Sequence, residues 1–375
     1  MTLTLKKSAI LASALISAVS ANAATVYEKD GNSLDIFGSV QALFLSKHSA
    51  NPDRYYQNAA ADGSISSATT LGLAMRSNIA HNLDAIALVQ WDMPDGELDE
   101  HNNYTYVGFD AYQYGTLIMG KAENAYYAVC GVTDIYNYLE SRGNDYYAMG
   151  DKSPGMIMYR FSALSWDLRL SYQTAKEEVN GTPFNISHAY AFSVSGMLND
   201  KISLAYGLSY TDFSYAGREQ RANLQGYFAP IYAKDYKVSD AEGALLAQRQ
   251  MIEHKYDYGF SIAYGVLGEG LYGALSYTAS DYEYLKHTLH SWELASSYTF
   301  DNGLELLGGL SYLTYNGINV TLDLNLGLAW NLSPTFKVFC ESAIDLGAEP
   351  ERFYGTGTEE WMAENKFILG AQFSF

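Results

Sequence analysis

The sequence predicts an all-β fold, a transmembrane antiparallel β-barrel of about sixteen strands. Three observations carry the prediction. Apolar and polar side chains alternate with a period of two in run after run; the connections between runs are short and long by turns; and an N-terminal leader takes the chain out of the cytoplasm.

The alternation is clearest between Val320 and Leu332. Val320, Leu322, Leu324, Leu326, Leu328, Trp330 and Leu332 interleave with Thr321, Asp323, Asn325, Gly327, Ala329 and Asn331. A strand sends successive side chains to opposite faces, so one face of this segment is apolar and the other polar or small. A helix does not tolerate that period. The same pattern places Ile202, Leu204, Tyr206, Leu208 and Tyr210 opposite Ser203, Ala205, Gly207 and Ser209, and it recurs over 166–173, 187–196 and 367–375. A soluble sandwich also alternates, but its solvent face carries many Lys and Glu. Here the polar face is mostly Ser, Gly, Ala, Asn and Thr, and the apolar face is bulky and often ends in Tyr, Trp or Phe. A barrel with a wet lumen, a lipid-facing exterior and aromatic belts at both interfaces has this composition.

Strands are expected near 34–46, 68–79, 83–93, 103–112, 116–121, 155–162, 166–174, 188–197, 202–212, 254–264, 270–280, 288–300, 304–315, 320–332, 335–346 and 362–375. Short turns fall at Asn82, Tyr114-Gly115, Asn199-Asp200, Asp301-Asn302-Gly303 and Ser333-Pro334. Long polar connections lie between them, near 47–67, 94–102, 122–153, 175–187, 212–253 and 347–361, with shorter ones near 280–288 and 317–319. Short turns on one side and long loops on the other are the outer-membrane pattern. The segment 212–253, with Arg218, Arg221 and Lys234, reads as an ordinary external loop in preference to a cover over a neighbouring subunit or a lid over the mouth. Sixteen strands make a barrel wide enough for water, whereas eight are filled by side chains.

The leader has Lys6 and Lys7, an apolar stretch from Ser8 to Val19, and Ala21-Asn22-Ala23 as a cleavage site. Residues 1–23 are read as a secretory signal peptide and 24–375 as one barrel domain. The apolar stretch is short of the ~20 residues a spanning helix needs, and no later run reaches that length. Mean hydropathy is −0.14, which fits a barrel because only alternate residues meet lipid. Tyr (33), Gly (32) and scarce Pro (7) suit a chain of many strands.

The net charge of −19 includes the two leader lysines, so the mature chain is more acidic still. That sign argues against nucleic-acid binding. Cys130 and Cys340 are the only cysteines, and the sequence leaves open whether they pair. No His-x-x-x-His or Cys-x-x-Cys spacing occurs among the seven histidines and two cysteines, so neither a metal nor a cofactor is expected.

Three further segments are familiar. The mature start, Tyr27-Glu28-Lys29-Asp30-Gly31-Asn32 followed by Leu34-Asp35-Ile36-Phe37-Gly38, the Gln90-Trp91 pair in the third strand, and the Phe-rich alternation ending in Phe375 resemble the Gram-negative general diffusion porins over essentially all of the mature chain. The resemblance implies a sixteen-stranded homotrimer in the outer membrane, in contact with lipid and lipopolysaccharide, passing small hydrophilic solutes and ions. It also implies a third loop folded inward to narrow the pore, and the second loop, near Pro94 to Asn102, as a trimer contact.

By order and length the third loop is about Ala122 to Asp151, with Asp134, Glu140, Asp145 and Asp151. In the family, acids on this loop face basic residues on the wall. Here the basic wall positions align with Ser39, Thr70 and Asn103, all neutral; Lys152 and Lys121 flank the loop, and Asp92 matches a lumen acid. The constriction is therefore assigned to Asp92, Asp134, Glu140, Asp145, Lys152, Ser39, Thr70 and Asn103 and is expected to prefer cations. Arg160 and Arg169, if inward, offset part of that preference.

The alternative within transport is a substrate-selective channel, for instance for a sugar, and it needs an apolar track in the lumen. Phe37, Leu43 and Leu88 have the inward parity. An enzyme is disfavoured, because the chain has no nucleophile motif such as G-x-S-x-G. A purely structural or adhesive barrel is a third class, which conductance would separate.

Overall fold

The computed structural model describes residues 23–46, 63–94, 102–139, 152–175, 185–213, 229–249, 253–354 and 363–375. Residues 1–22, the loop acids Glu140, Asp145 and Asp151, and most of the second loop lie outside the described residues.

Seventeen strand segments occur: β1 (Ala24–Lys29), β2 (Asn32–Leu45), β3 (Ser64–Ala80), β4 (Leu83–Pro94), β5 (Asn102–Asp110), β6 (Thr116–Ala122), β7 (Ser153–Ala163), β8 (Trp166–Gln173), β9 (His188–Met197), β10 (Ile202–Asp212), β11 (His254–Val266), β12 (Glu269–Tyr282), β13 (Leu289–Thr299), β14 (Leu304–Tyr315), β15 (Ile318–Asn331), β16 (Phe336–Asp345) and β17 (Lys366–Ser374). From β2 to β17 each strand pairs antiparallel with its sequence neighbour, and β17 pairs with β2. The result is a closed barrel of sixteen strands, and closure removes every free sheet edge from the membrane.

β1 was not expected. It covers the part of β2 that β17 leaves free: β1 pairs with Asn32–Ile36, and β17 with Ser39–Leu45. Between them Gly38 and Phe375 exchange two backbone hydrogen bonds of 2.9 Å. All six residues of β1 are exposed, so no burial pattern marks this strand in the sequence.

The alternation read from the sequence divides inside from outside. Along β11, Tyr256, Phe260, Ile262 and Tyr264 are exposed while Lys255, Asp257, Ser261 and Ala263 are buried. Along β13, Trp292, Leu294 and Tyr298 are exposed and Ser291, Glu293, Ala295 and Ser297 are buried. The exposed set is the lipid face. Tyr172, Tyr190, Tyr210 and Tyr256 stand side by side across β8–β11, with ring centroids 5.1 Å apart at Tyr172–Tyr190 and Tyr210–Tyr256. Such a row is an interfacial belt, here at the long-loop end.

Turns sort by end, as expected. Leu164 and Ser165, with φ of 52° and 68°, make a two-residue turn between β7 and β8 whose backbone matches the strand twist. At the opposite end Asn316-Gly317, with φ of 43° and 77°, is the tight exception among the long loops.

Residues 229–249, the described part of the connection between β10 and β11, depart from the expectation of an ordinary external loop; Arg218 and Arg221 lie outside the described residues. Ile231, Tyr232 and Ala247 are buried against Phe213, Tyr282, Leu289, Leu313, Tyr315 and Phe353. Leu289, Leu313 and Tyr315 lie on the inward faces of their strands, in phase with buried Ser291 and Ser311. Apolar surface that could not be buried on an external loop is buried here at the mouth.

Candidate functional site

The inner wall brings three of the expected residues into one row. Ser39 on β2 stands opposite Thr70 on β3, and Thr70 stands opposite Asp92 on β4. The Thr70 hydroxyl donates to Asp92 Oδ1 at 2.8 Å. Asn103 on β5 follows at a register shift, where Gln90 pairs with Tyr104 and Trp91 with Asn102, so it has no cross-strand partner in β4. Lys152 Nζ lies 5.2 Å from the centre of the Tyr104 ring, and the Tyr104 hydroxyl donates to Glu123. That puts an ammonium, a phenol and a carboxylate at the start and end of the long connection between β6 and β7.

Residues 123–139 of that connection dock on inward-facing wall residues, strand after strand. Ala125 N donates to Ser171 Oγ on β8 at 3.0 Å. Thr133 Oγ1 donates to Glu293 Oε2 on β13 at 2.8 Å, and the Tyr272 hydroxyl on β12 donates to the Val132 carbonyl at 2.7 Å. The backbone N–H groups of Asn137, Tyr138 and Leu139 donate to the Glu341 carboxylate on β16 at 2.6, 2.9 and 3.0 Å. Leu139 then packs with Leu43 and Leu45 of β2. The wall is small where the segment's rings approach. A Cβ on Gly207 would lie 2.8 Å from Val129, and one on Gly309 would lie 2.6 Å from the Tyr136 hydroxyl.

Asp134 is half-buried in this segment and accepts the Tyr127 hydroxyl at 2.8 Å, a bond within its own loop. Glu140 and Asp145, assigned to the same constriction, lie outside the described residues.

Arg160 and Arg169 do face inward. They sit opposite each other on β7 and β8, and each Nε donates to one oxygen of Asp167 at 2.7 Å. Two guanidinium groups share one carboxylate, and the Glu123 carboxylate also acts on Arg160.

The sequence reading passed over Glu123, Asp167, Glu293 and Glu341. The last three lie at inward parity on strands of small and polar residues. A carboxylate at that parity was a usable signal. The cross-strand partners that give each its role were not visible.

Phe37 and Leu88, read as parts of an apolar track, fall into one inward cluster with Ile86, Tyr106, Ile118, Met156 and Met158. Cys130 is buried on the inner side of the wall. Cys340 alternates with the inward Phe339 and Glu341 and so points outward, and both cysteines are free. Among the described residues, one group has donor atoms close enough to hold a metal ion. Glu253, His254 and Glu283 bring ligand atoms within 4.8 Å of one another, just beyond the tyrosine belt. Pairing of β11 with β12 creates that group, so spacing along the chain did not reveal it.

No protein-family model matches the chain. Outer membrane porin C of Serratia marcescens is 26% identical over 365 residues, covering 90% of this chain and 86% of that protein. Outer membrane porin PhoE of Klebsiella oxytoca is 24% identical, covering 71% and 83%. The chain is a relative of the outer-membrane porins. Among solved structures, OmpF of Salmonella typhi in complex with daunomycin superposes on this porin relative with a TM-score of 0.68 at 14% identity, covering 94% of this chain and all of that one. An anion-selective porin of Comamonas acidovorans gives 0.58 at 12% identity, covering 92% and 100%. The barrel is thus an outer-membrane barrel of the porin fold.

Proposed function

We propose that this porin relative is a passive, water-filled diffusion channel for small hydrophilic solutes and ions, that it prefers cations, and that it acts as a homotrimer. The observation that carries the reading is a closed sixteen-strand barrel with an apolar exterior and a charged inner wall. No covalent step is required; size and the field at the narrowest level decide passage. Residues 123–139 are the narrowing element, held against β8–β16 with Leu139 reaching the long-loop end of β2, so solutes pass along the β2–β7 wall by Ser39, Thr70 and Asp92.

An anion-selective porin shares the fold, so the sign of the selectivity rests on side chains. Neutral Ser39, Thr70 and Asn103 stand where the family is basic, while Asp92 and Asp134 are acidic. The Arg160–Asp167–Arg169 group tempers the preference without reversing it. Trimerisation is supported by a likeness to a trimer form of OmpT from Vibrio cholerae, with a TM-score of 0.59 at 13% identity.

Reversal potentials across a KCl gradient test the sign. Cation preference is expected, weakened by Asp92→Asn combined with Asp134→Asn. Anion preference in the unaltered protein would refute the reading, and an unchanged potential in the double variant would move the selectivity to other carboxylates.

A channel selective for a sugar would need an exposed apolar track, and Phe37, Leu88, Tyr106, Ile118, Met156 and Met158 are instead buried against one another across β2–β7. Saturable block of ion current by a sugar would support that alternative; linear permeation would not.

A further inference from the structure

We propose that residues 229–249 form a fixed second narrowing at the long-loop mouth of the channel, and that this narrowing sets a size limit above the level of Asp92. The proposal rests on the channel reading.

The segment is a helical hairpin. Residues 229–236 and 240–249 are helical. Ser239 and Glu242 cap the second helix reciprocally: Ser239 N donates to Glu242 Oε2 at 3.0 Å, and Glu242 N donates to Ser239 Oγ at 3.4 Å. The two helices touch at Gly243, where a Cβ would lie 2.6 Å from the Ala229 carbonyl oxygen and 2.7 Å from Ala233 Cβ. A hairpin this close is a compact unit.

It is anchored to the inside of the mouth. Ile231, Tyr232 and Ala247 join a buried apolar cluster with Leu289, Leu313, Tyr315, Phe353 and their neighbours, and no member of that cluster comes from β2–β8. Polar contacts fix its position. The Tyr315 hydroxyl donates to Asp235 Oδ2 at 2.5 Å, Lys286 Nζ donates to the Asp235 carbonyl at 2.8 Å, and the same ammonium lies 3.8 Å from the centre of the Tyr236 ring. Apolar burial and these polar contacts together make the hairpin part of the vestibule wall.

Residues 123–139 dock on β8–β16, so the two segments lie along the same side of the barrel at successive levels. Both direct the path toward β2–β7. The hairpin's free side exposes Lys237, Asp240, Ala241, Glu242, Leu245 and Arg249, and passing solutes meet that surface first.

Two experiments on the full barrel test this. In the first, a Cys340→Ser protein carrying Ala241→Cys is recorded in a planar bilayer before and after a bulky thiol reagent; the current is expected to fall. In the second, residues 229–249 are replaced by a short Gly-Ser bridge. Conductance is expected to rise about twofold, with larger polyethylene glycols entering the pore. Unchanged current on modification, together with unchanged conductance and polymer exclusion on replacement, overturns the second narrowing and leaves the channel reading intact. If neither the unaltered protein nor the replacement conducts, the channel reading falls as well. If the replacement does not fold, modification at position 241 decides alone.

Discussion

Gly38 is where the first and last strands of the barrel meet. Its backbone exchanges hydrogen bonds with Phe375, and a Cβ there would lie 2.8 Å from the Phe375 ring, with the Thr70 carbonyl closer still. Gly38→Val is therefore an overpacking change at the closing seam, costing about 1–3 kcal/mol. The expected result is a lower unfolding temperature of the detergent-solubilised barrel; an unchanged value would mean that the seam does not limit stability. Glu341 has a different role. Its carboxylate accepts from the N–H groups of Asn137, Tyr138 and Leu139. Glu341→Ala leaves these three backbone donors and the Asn137 side-chain amide without their acceptor, at about 1–3 kcal/mol for each that stays buried. Hydrogen exchange at 137–139 is expected to accelerate while β15 and β16 keep their protection, and equal exchange in both proteins would remove Glu341 as the anchor. Ser39, Thr70 and Asp92 were named through the resemblance to porins; the residues alone carry their parity, since alternation fixes the phase of the strands that bring them into one row. Glu341 has the same phase, but its partner is 202 to 204 residues away, and no periodicity encodes that contact.

Elements were legible where burial has a period. The sixteen expected strands correspond to β2–β17, because a side chain on either face meets lipid or lumen and a slip of one residue would exchange the two. β1 escaped because all six of its residues are exposed. The mouth hairpin escaped for a different reason. Its Ser239-x-x-Glu242 cap is a helix-start signal inside a segment read as loop, yet the strands that bury Ile231 and Tyr232 are separate in sequence. The cap also carries a pH dependence. The Ser239 backbone N–H, assisted by its hydroxyl, holds the Glu242 carboxyl below its ordinary value of 4.5. A folded-state value below the unfolded one gives stability that is complete above the ordinary value and is lost as pH falls through the lowered one. Exchange protection of helix 240–249 is expected to be flat from neutrality to about pH 4.5 and to fall below it. Glu242→Gln, which cannot titrate, should flatten that fall, and an identical profile in the variant would show that the Glu242 carboxyl is not its source.

At the scale of the whole molecule, closure, exterior and charge act together. Antiparallel pairing from β2 round to β17 leaves no open edge for lipid, and the apolar exterior holds the barrel in the membrane. The −19 charge raises the concentration of cations near the protein surface. If the homotrimer is right, mild detergent should extract a particle of three chains, and a monomer at all concentrations would contradict it. The central claim is an open aqueous path through this barrel. Its most direct test is the current through single molecules of the unaltered protein in a planar bilayer. The account predicts discrete steps with a linear current–voltage relation and a conductance that rises with the bulk conductivity of the salt. A bilayer that stays silent while folded barrels are demonstrably inserted would contradict it.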